Sequence, residues 1–152
     1  MMKTSNFHTT VTVPALAGIA YFAVVFSVAF CFGAIRVSLL VPQVGALAAV
    51  LTELPLILVV SWKAVGWSVQ KFDIPPIVIN RTIMGVVAFL VLMGAELTLS
   101  VVASGKTASD FVSEIVSSTP QLIGLTGQVL YGLFPIIEGR VHRPRRETAK
   151  DQ

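Results

Sequence analysis

Three ionisable side chains, those of Arg36, Glu53 and Glu96, lie inside long apolar stretches of this 152-residue chain. A charge that faces lipid is costly, so we expect each of them to face protein, water or a partner. Two carboxylates against one guanidinium leave one negative charge without compensation. One interpretation is a carboxyl that carries a proton or holds a cation.

Two other interpretations fit the same residues. In the first, Arg36 bridges Glu53 and Glu96 and fixes the helix packing, since a buried ion pair can specify register more than it adds stability. In the second, Glu53 or Glu96 faces a partner subunit. The bridging ion pair is the favoured interpretation, and the other two stay open.

The composition indicates that a lipid bilayer is the solvent of these stretches. Apolar residues make up 55% of the chain and charged residues 12%, whereas a soluble domain carries about 25% charged residues. The apolar residues form long runs, and about 20 of them cross the hydrocarbon core. We therefore predict an all-α four-helix transmembrane bundle, with spans at about 14–40, 45–69, 81–102 and 120–137.

Proline, glycine and asparagine set the limits of these spans. Pro42 and Gly45 predict a tight turn over residues 41–45. Asn80 is the predicted N-cap of the third span, and Pro120 suits the first turn of the fourth.

Two segments fall outside the spans. Residues 107–117 are short and amphipathic, which is typical of a surface helix, here between spans three and four. The basic segment 140–152 is expected to be a disordered cytoplasmic tail. The membrane domain would then comprise residues 1–139.

The helix rise puts the ionisable groups at one level. Glu53 follows Gly45 by eight residues and Glu96 precedes Ser104 by eight, so each lies about 12 Å below the outer end of its span at 1.5 Å per residue. Most of the polar residues share a helix face with small residues, where membrane helices approach closely. The sequence thus predicts a buried polar cluster, or a site for ions or protons, formed by Arg36, Glu53, Glu96 and Gln128.

The basic residues fall mainly on one side of the predicted bundle. The positive-inside rule then puts both termini on the cytoplasmic side of the membrane. The basic tail suits anionic headgroups better than nucleic acid. Expected partners are the lipid bilayer and either a larger membrane complex or a second copy. The predicted cytoplasmic side has nine basic residues and the other side has two, Arg36 and Lys106. The nine are Lys3, Lys63, Lys71, Arg81, Arg140, Arg143, Arg145, Arg146 and Lys150.

We predict no catalytic set, metal site or cofactor. Both histidines, His8 and His142, lie outside the predicted spans, and Cys31 is the single cysteine. Transition metals favour His and Cys ligands, which the spans do not supply as a group. The sequence shows no phosphate-binding loop or dinucleotide motif. An enzyme is therefore the less favoured class.

Charged and proline positions form a pattern in four short runs, Phe32–Pro42, Glu53–Pro55, Arg81–Gly85 and Gly94–Leu97. These runs resemble a group of small bacterial four-span inner-membrane proteins to which no activity is assigned. The similarity covers most of residues 20–137. It implies a multi-pass protein with four spans in a bacterial-type inner membrane, and it transfers no reaction and no functional residue.

Three functional hypotheses follow. The first is a non-catalytic accessory or assembly subunit, or a homo-oligomer, with a buried polar cluster. The second is a small proton-coupled or ion-conducting transporter that uses Glu53 and Glu96. The third is a membrane enzyme or a binder of lipid or quinone, with Arg36 as an anion contact.

Overall fold

A computed structural model describes residues 4–141, apart from the side chains of residues 4–10 and 104. The described chain is helical and contains no strand, so the predicted all-α class is confirmed. Most of the predicted tail, residues 142–152, lies outside the described part. The helices are α1 (Thr4–Ile35), α2 (Val41–Lys71), α3 (Val78–Ser104), α4 (Ala108–Ile115) and α5 (Thr119–Val141), with a π-helical turn, Arg36–Leu40, between α1 and α2.

Three helical stretches are long and apolar enough to cross a membrane, namely Val11–Lys71, Val78–Ala103 and Thr119–Val141. The first has 61 residues and would be about 90 Å long if straight, three times the hydrocarbon thickness of about 30 Å. It is a hairpin instead. Arg36 contacts Glu53, although a straight helix would hold these residues about 25 Å apart.

The reversal of this hairpin occurs at one residue. Gly45 has φ 80° and ψ 163° inside an otherwise helical segment, a conformation that glycine adopts at little steric cost. The tight turn predicted over residues 41–45 is therefore wrong in extent, because the chain is helical up to Val44. Pro42 lies in the first turn of α2, where its missing N–H costs nothing.

The predicted cap of the third span is also wrong. The N-cap position of α3 is Ile77, which is extended, and Asn80 lies inside the first turn with 7% of its surface exposed. Pro75 and Pro76 interrupt helical geometry in the connection. The helix resumes at Val78, shortly after them and before Asn80. Pro120 lies in the first turn of α5, as predicted.

The long helices form a ring. α1 packs against α2 and α3, and α5 packs against the same two helices, so the order around the ring is α1, α2, α5, α3. Tyr21 of α1 and Tyr131 of α5 stack across the centre with ring centroids 4.5 Å apart. Ala17, Val65 and Met84 are fully buried in the same core.

Large apolar side chains cover the outside of the ring. Such a surface would be an aggregation hazard in water, and it suits contact with acyl chains. Examples on α2 and α3 are Val59 and Leu90, each 61% exposed, and Ile79, 57% exposed. The surface supports the membrane assignment.

A short helix, α4, is present where the surface helix is predicted. A capping box starts it: the Asp110 N–H donates to the Thr107 hydroxyl, and the Thr107 N–H donates to the Asp110 carboxylate. Hydrogen bonds from the Thr107 side chain and backbone lower the pKa of Asp110. Lys106 and Glu114 form an ion pair beside it. Val112 is 64% exposed, which fits a helix lying at a membrane surface.

Glycines bring α3 and α5 together. A Cβ atom at Gly85 would collide with the backbone carbonyl of Gly132, so the two backbones touch directly. Gly94 lies on the same helix α3, and a Cβ atom there would meet nothing within 4 Å. Gly85 therefore lies in a close helix–helix contact, whereas Gly94 does not.

We predict that Gly85→Ala lowers the free energy of unfolding by about 1–3 kcal/mol, because the added methyl group overpacks the contact. Gly94→Ala is the matched control and should change stability little. Unfolding in mild detergent, followed by circular dichroism, measures both. An equal effect of the two substitutions would contradict the close approach of α3 and α5.

Candidate functional site

The first polar contact joins the two arms of the hairpin. Arg36 begins the π-helical turn, in which the Val41 N–H donates to the Arg36 carbonyl. The Arg36 Nε lies 2.5 Å from Glu53 Oε2. The side chains of Arg36 and Glu53 keep 31% and 13% of their surface exposed. A π-helical turn often occurs at functional sites, because it shifts the direction of the side chains.

The second polar contact joins α3 and α5. The Gln128 side-chain amide donates a hydrogen bond of 2.6 Å to Glu96 Oε1. Glu96 is half-buried. The amide is neutral, so this contact satisfies a hydrogen-bond acceptor without compensating a charge.

Both contacts open onto one cavity of about 200 Å³ between the helices. All four residues that the sequence singled out line it. Whether they act as an ion or proton site stays a prediction. Hydroxyl and apolar groups complete the wall, among them Val25, Phe26, Ala29, Leu54, Ser61, Leu92, Gly124, Gly127 and Tyr131.

The charges around the cavity do not balance. Arg36 is the single cationic lining residue in the described part, and the acidic ones are Glu53 and Glu96. Arg36 is in direct contact with Glu53. If both carboxyls are ionised, one negative charge remains, and a proton or a cation in the cavity would compensate it.

Sequence reasoning missed the inner end of the cavity. Tyr131 and Ser61 line it, and the Tyr21 hydroxyl donates to the Tyr131 carbonyl at 3.1 Å. Tyr131 is 3% exposed, and its own hydroxyl has no hydrogen-bond partner among the described residues. The available signal was its position one helical turn after Gln128.

A separate buried ion pair lies at the other end of α5. Arg81 Nη1 is 2.6 Å from Glu138 Oε2, and the two side chains are only 4% and 8% exposed. Arg81 Nη2 also donates to the Ile74 carbonyl at 3.1 Å, and its Nε donates to the Pro75 carbonyl at 3.3 Å. The guanidinium therefore ties α3 to α5 and to the connection before α3.

The position of Arg81 corrects the charge count. The sequence analysis treated it as one of nine basic residues in the cytoplasmic connections, but its charge is matched inside the protein by Glu138. By the same criterion Arg36, which pairs with Glu53, leaves the other side. Eight basic residues then oppose one, Lys106, and the asymmetry keeps its direction.

We predict that Arg81→Gln destabilises the protein by about 3–5 kcal/mol, because it removes the cation that faces the buried Glu138 carboxylate. Arg140→Gln is the control, since Arg140 lies on the same helix as Glu138 and is exposed. Chemical unfolding in detergent at neutral pH measures the difference. Equal stability of the two variants would show that Arg81 and Glu138 do not meet.

Two further findings bear on the chemistry. Among the described residues, no three His, Cys, Asp or Glu side chains are grouped so that they could hold a metal ion. Comparisons with protein-family models, with curated proteins and with solved structures find no match for this chain. The family suggested by the sequence therefore stays a prediction, and function has to be argued from the cavity.

Proposed function

We propose that this chain is a non-enzymatic four-span protein of a bacterial-type inner membrane, and that its cavity takes up protons or small cations. The uneven charge of the cavity carries this proposal. Two carboxyls and one guanidinium line a space inside apolar helices, where an uncompensated charge is costly. A mobile positive charge restores the balance, and its exchange is the proposed activity.

The hairpin supports four crossings. Gly45 divides the stretch Val11–Lys71, and each arm exceeds the roughly 20 residues that a crossing needs. With α3 and α5 the chain then crosses four times, and both termini lie on the side that carries most basic residues, which is the cytoplasmic side by the positive-inside rule.

Within the cavity we assign the exchangeable charge to Glu96. Glu53 already meets the Arg36 guanidinium, whereas Glu96 receives a hydrogen bond from a neutral amide. Removal of either carboxyl leaves one acid and one base in the cavity. The pair would then be balanced and would no longer need a proton or cation.

A second candidate is an accessory subunit or a homo-oligomer. Small or hydroxyl-bearing residues stay exposed on the outer half of the hairpin, namely Ser38, Ala46, Ala48 and Thr52. Small residues let membrane helices approach closely, so this face suits another helix. The mass of the particle in mild detergent decides between one copy, several copies and a larger complex.

We predict that Glu96→Gln and Glu53→Gln each reduce proton or cation uptake into liposomes to the level of protein-free liposomes, because each variant balances the cavity charge. A potassium diffusion potential drives proton uptake, and a pH dye inside the liposomes measures it. Glu114→Gln is the control, since Glu114 lies on α4, pairs with Lys106 and does not line the cavity.

The folded state of each variant must be measured beside its uptake. Uptake lost in a folded, inserted protein supports the proposal. Wild-type uptake in folded Glu96→Gln would overturn it. If both glutamine variants lose the helical fold, the cluster is a structural ion-pair network and the transport proposal is wrong.

A further inference from the structure

The size of the cavity limits what it can hold. Its volume is about 200 Å³, and an apolar cavity of about 150 Å³ holds one benzene molecule. By that comparison this cavity has room for a ligand of roughly eight non-hydrogen atoms. A bare metal ion would fill only a small part of it.

The walls between the polar groups are apolar. Val25, Phe26 and Leu92 face the cavity, and Gly124 leaves it open on the α5 side. Ca²⁺ takes six to eight oxygen ligands, whereas the two carboxylates that line this cavity are already engaged by Arg36 and Gln128. A hydrocarbon body of matching size would instead be favoured there.

The two ends of the cavity offer different polar groups. Glu96 supplies a carboxylate held by Gln128, which suits an ammonium group. Tyr131 supplies an aromatic face and a hydroxyl that is buried without a partner among the described residues. A buried hydroxyl of this kind normally has a partner, and an aromatic face attracts a cation.

We propose that the cavity binds a small organic ammonium ion, with its charged nitrogen on Glu96 and a short apolar body against Phe26 and Tyr131. The inference rests on the proposed function and narrows the cation to one chemical class. It makes Tyr131 and Gly124 determinants of specificity, and it leaves Glu96 as the residue that binds the charge.

The test uses the full chain in mild detergent and isothermal titration calorimetry. Benzylammonium chloride is the probe, because its size matches the cavity, and sodium chloride and the bulkier tetrabutylammonium chloride are the comparisons. We expect saturable binding of benzylammonium alone. Glu96→Gln should weaken it about tenfold or more, as for a lost charged hydrogen bond.

A partly filled cavity tests the inference directly. A Cβ atom at Gly124 meets nothing within 4 Å although the residue lines the cavity, so a leucine side chain at this position begins in open space and should occupy part of the cavity. Gly94→Leu is the control, since Gly94 is exposed and does not line the cavity. We expect Gly124→Leu to abolish benzylammonium binding and Gly94→Leu to keep it. Proton uptake by the wild-type protein and by Glu96→Gln tests the proposed function separately.

The outcomes are distinguishable. Equal binding of sodium and benzylammonium, or unchanged benzylammonium binding in folded Gly124→Leu, overturns the organic ammonium while proton uptake still tests the proposed function. Absence of benzylammonium binding in the wild-type protein overturns the inference as well. If Glu96→Gln changes neither binding nor uptake, both the inference and the proposed function are wrong.

Discussion

The contact between Arg36 and Glu53 is the interaction on which the rest of this structure depends. It joins residues from opposite sides of Gly45 and thereby closes the hairpin of α1 and α2. The hairpin brings Glu53 to the cavity that Glu96 and Gln128 reach from α3 and α5. Without this contact, two charges would face an apolar surrounding with no compensation, which lipid penalises strongly.

Among the described residues, the ion pairs Arg36–Glu53 and Arg81–Glu138 differ in burial and in surroundings. Arg81 and Glu138 are almost fully buried, and Arg81 also donates to backbone carbonyls. Such a pair fixes geometry and has no reason to exchange a proton. The cluster around Arg36 has one carboxyl too many and adjoins a cavity. Imbalance and space together distinguish a candidate site from a structural contact.

Much of the architecture could be predicted from the sequence because apolar length is a strong signal. The long helices, the surface helix and the break near Gly45 follow from composition and from glycine and proline positions. Residues Arg36, Glu53, Glu96 and Gln128 were identified because polar groups are rare in such segments. The structure places all four at one cavity.

Other features could not be predicted, for physical reasons. Tyr21 and Tyr131 resemble ordinary core aromatics until their partners are known. Arg81 lies at a helix end, where a basic residue serves equally well as a solvated charge or as half of a buried pair. Helix faces indicate that helices pack, but they do not indicate which neighbour each helix meets, so the ring order was open.

A double-mutant cycle on Arg36 and Glu53 tests the central claim most directly. The free energy of unfolding would be measured in mild detergent for the wild-type protein, Arg36→Gln, Glu53→Gln and the double variant. Residues in contact couple by about 0.5–3 kcal/mol, and this range is the result we predict. Effects that add within about 0.5 kcal/mol would show that the two residues do not meet, and they would contradict both the hairpin contact and the cavity built on it.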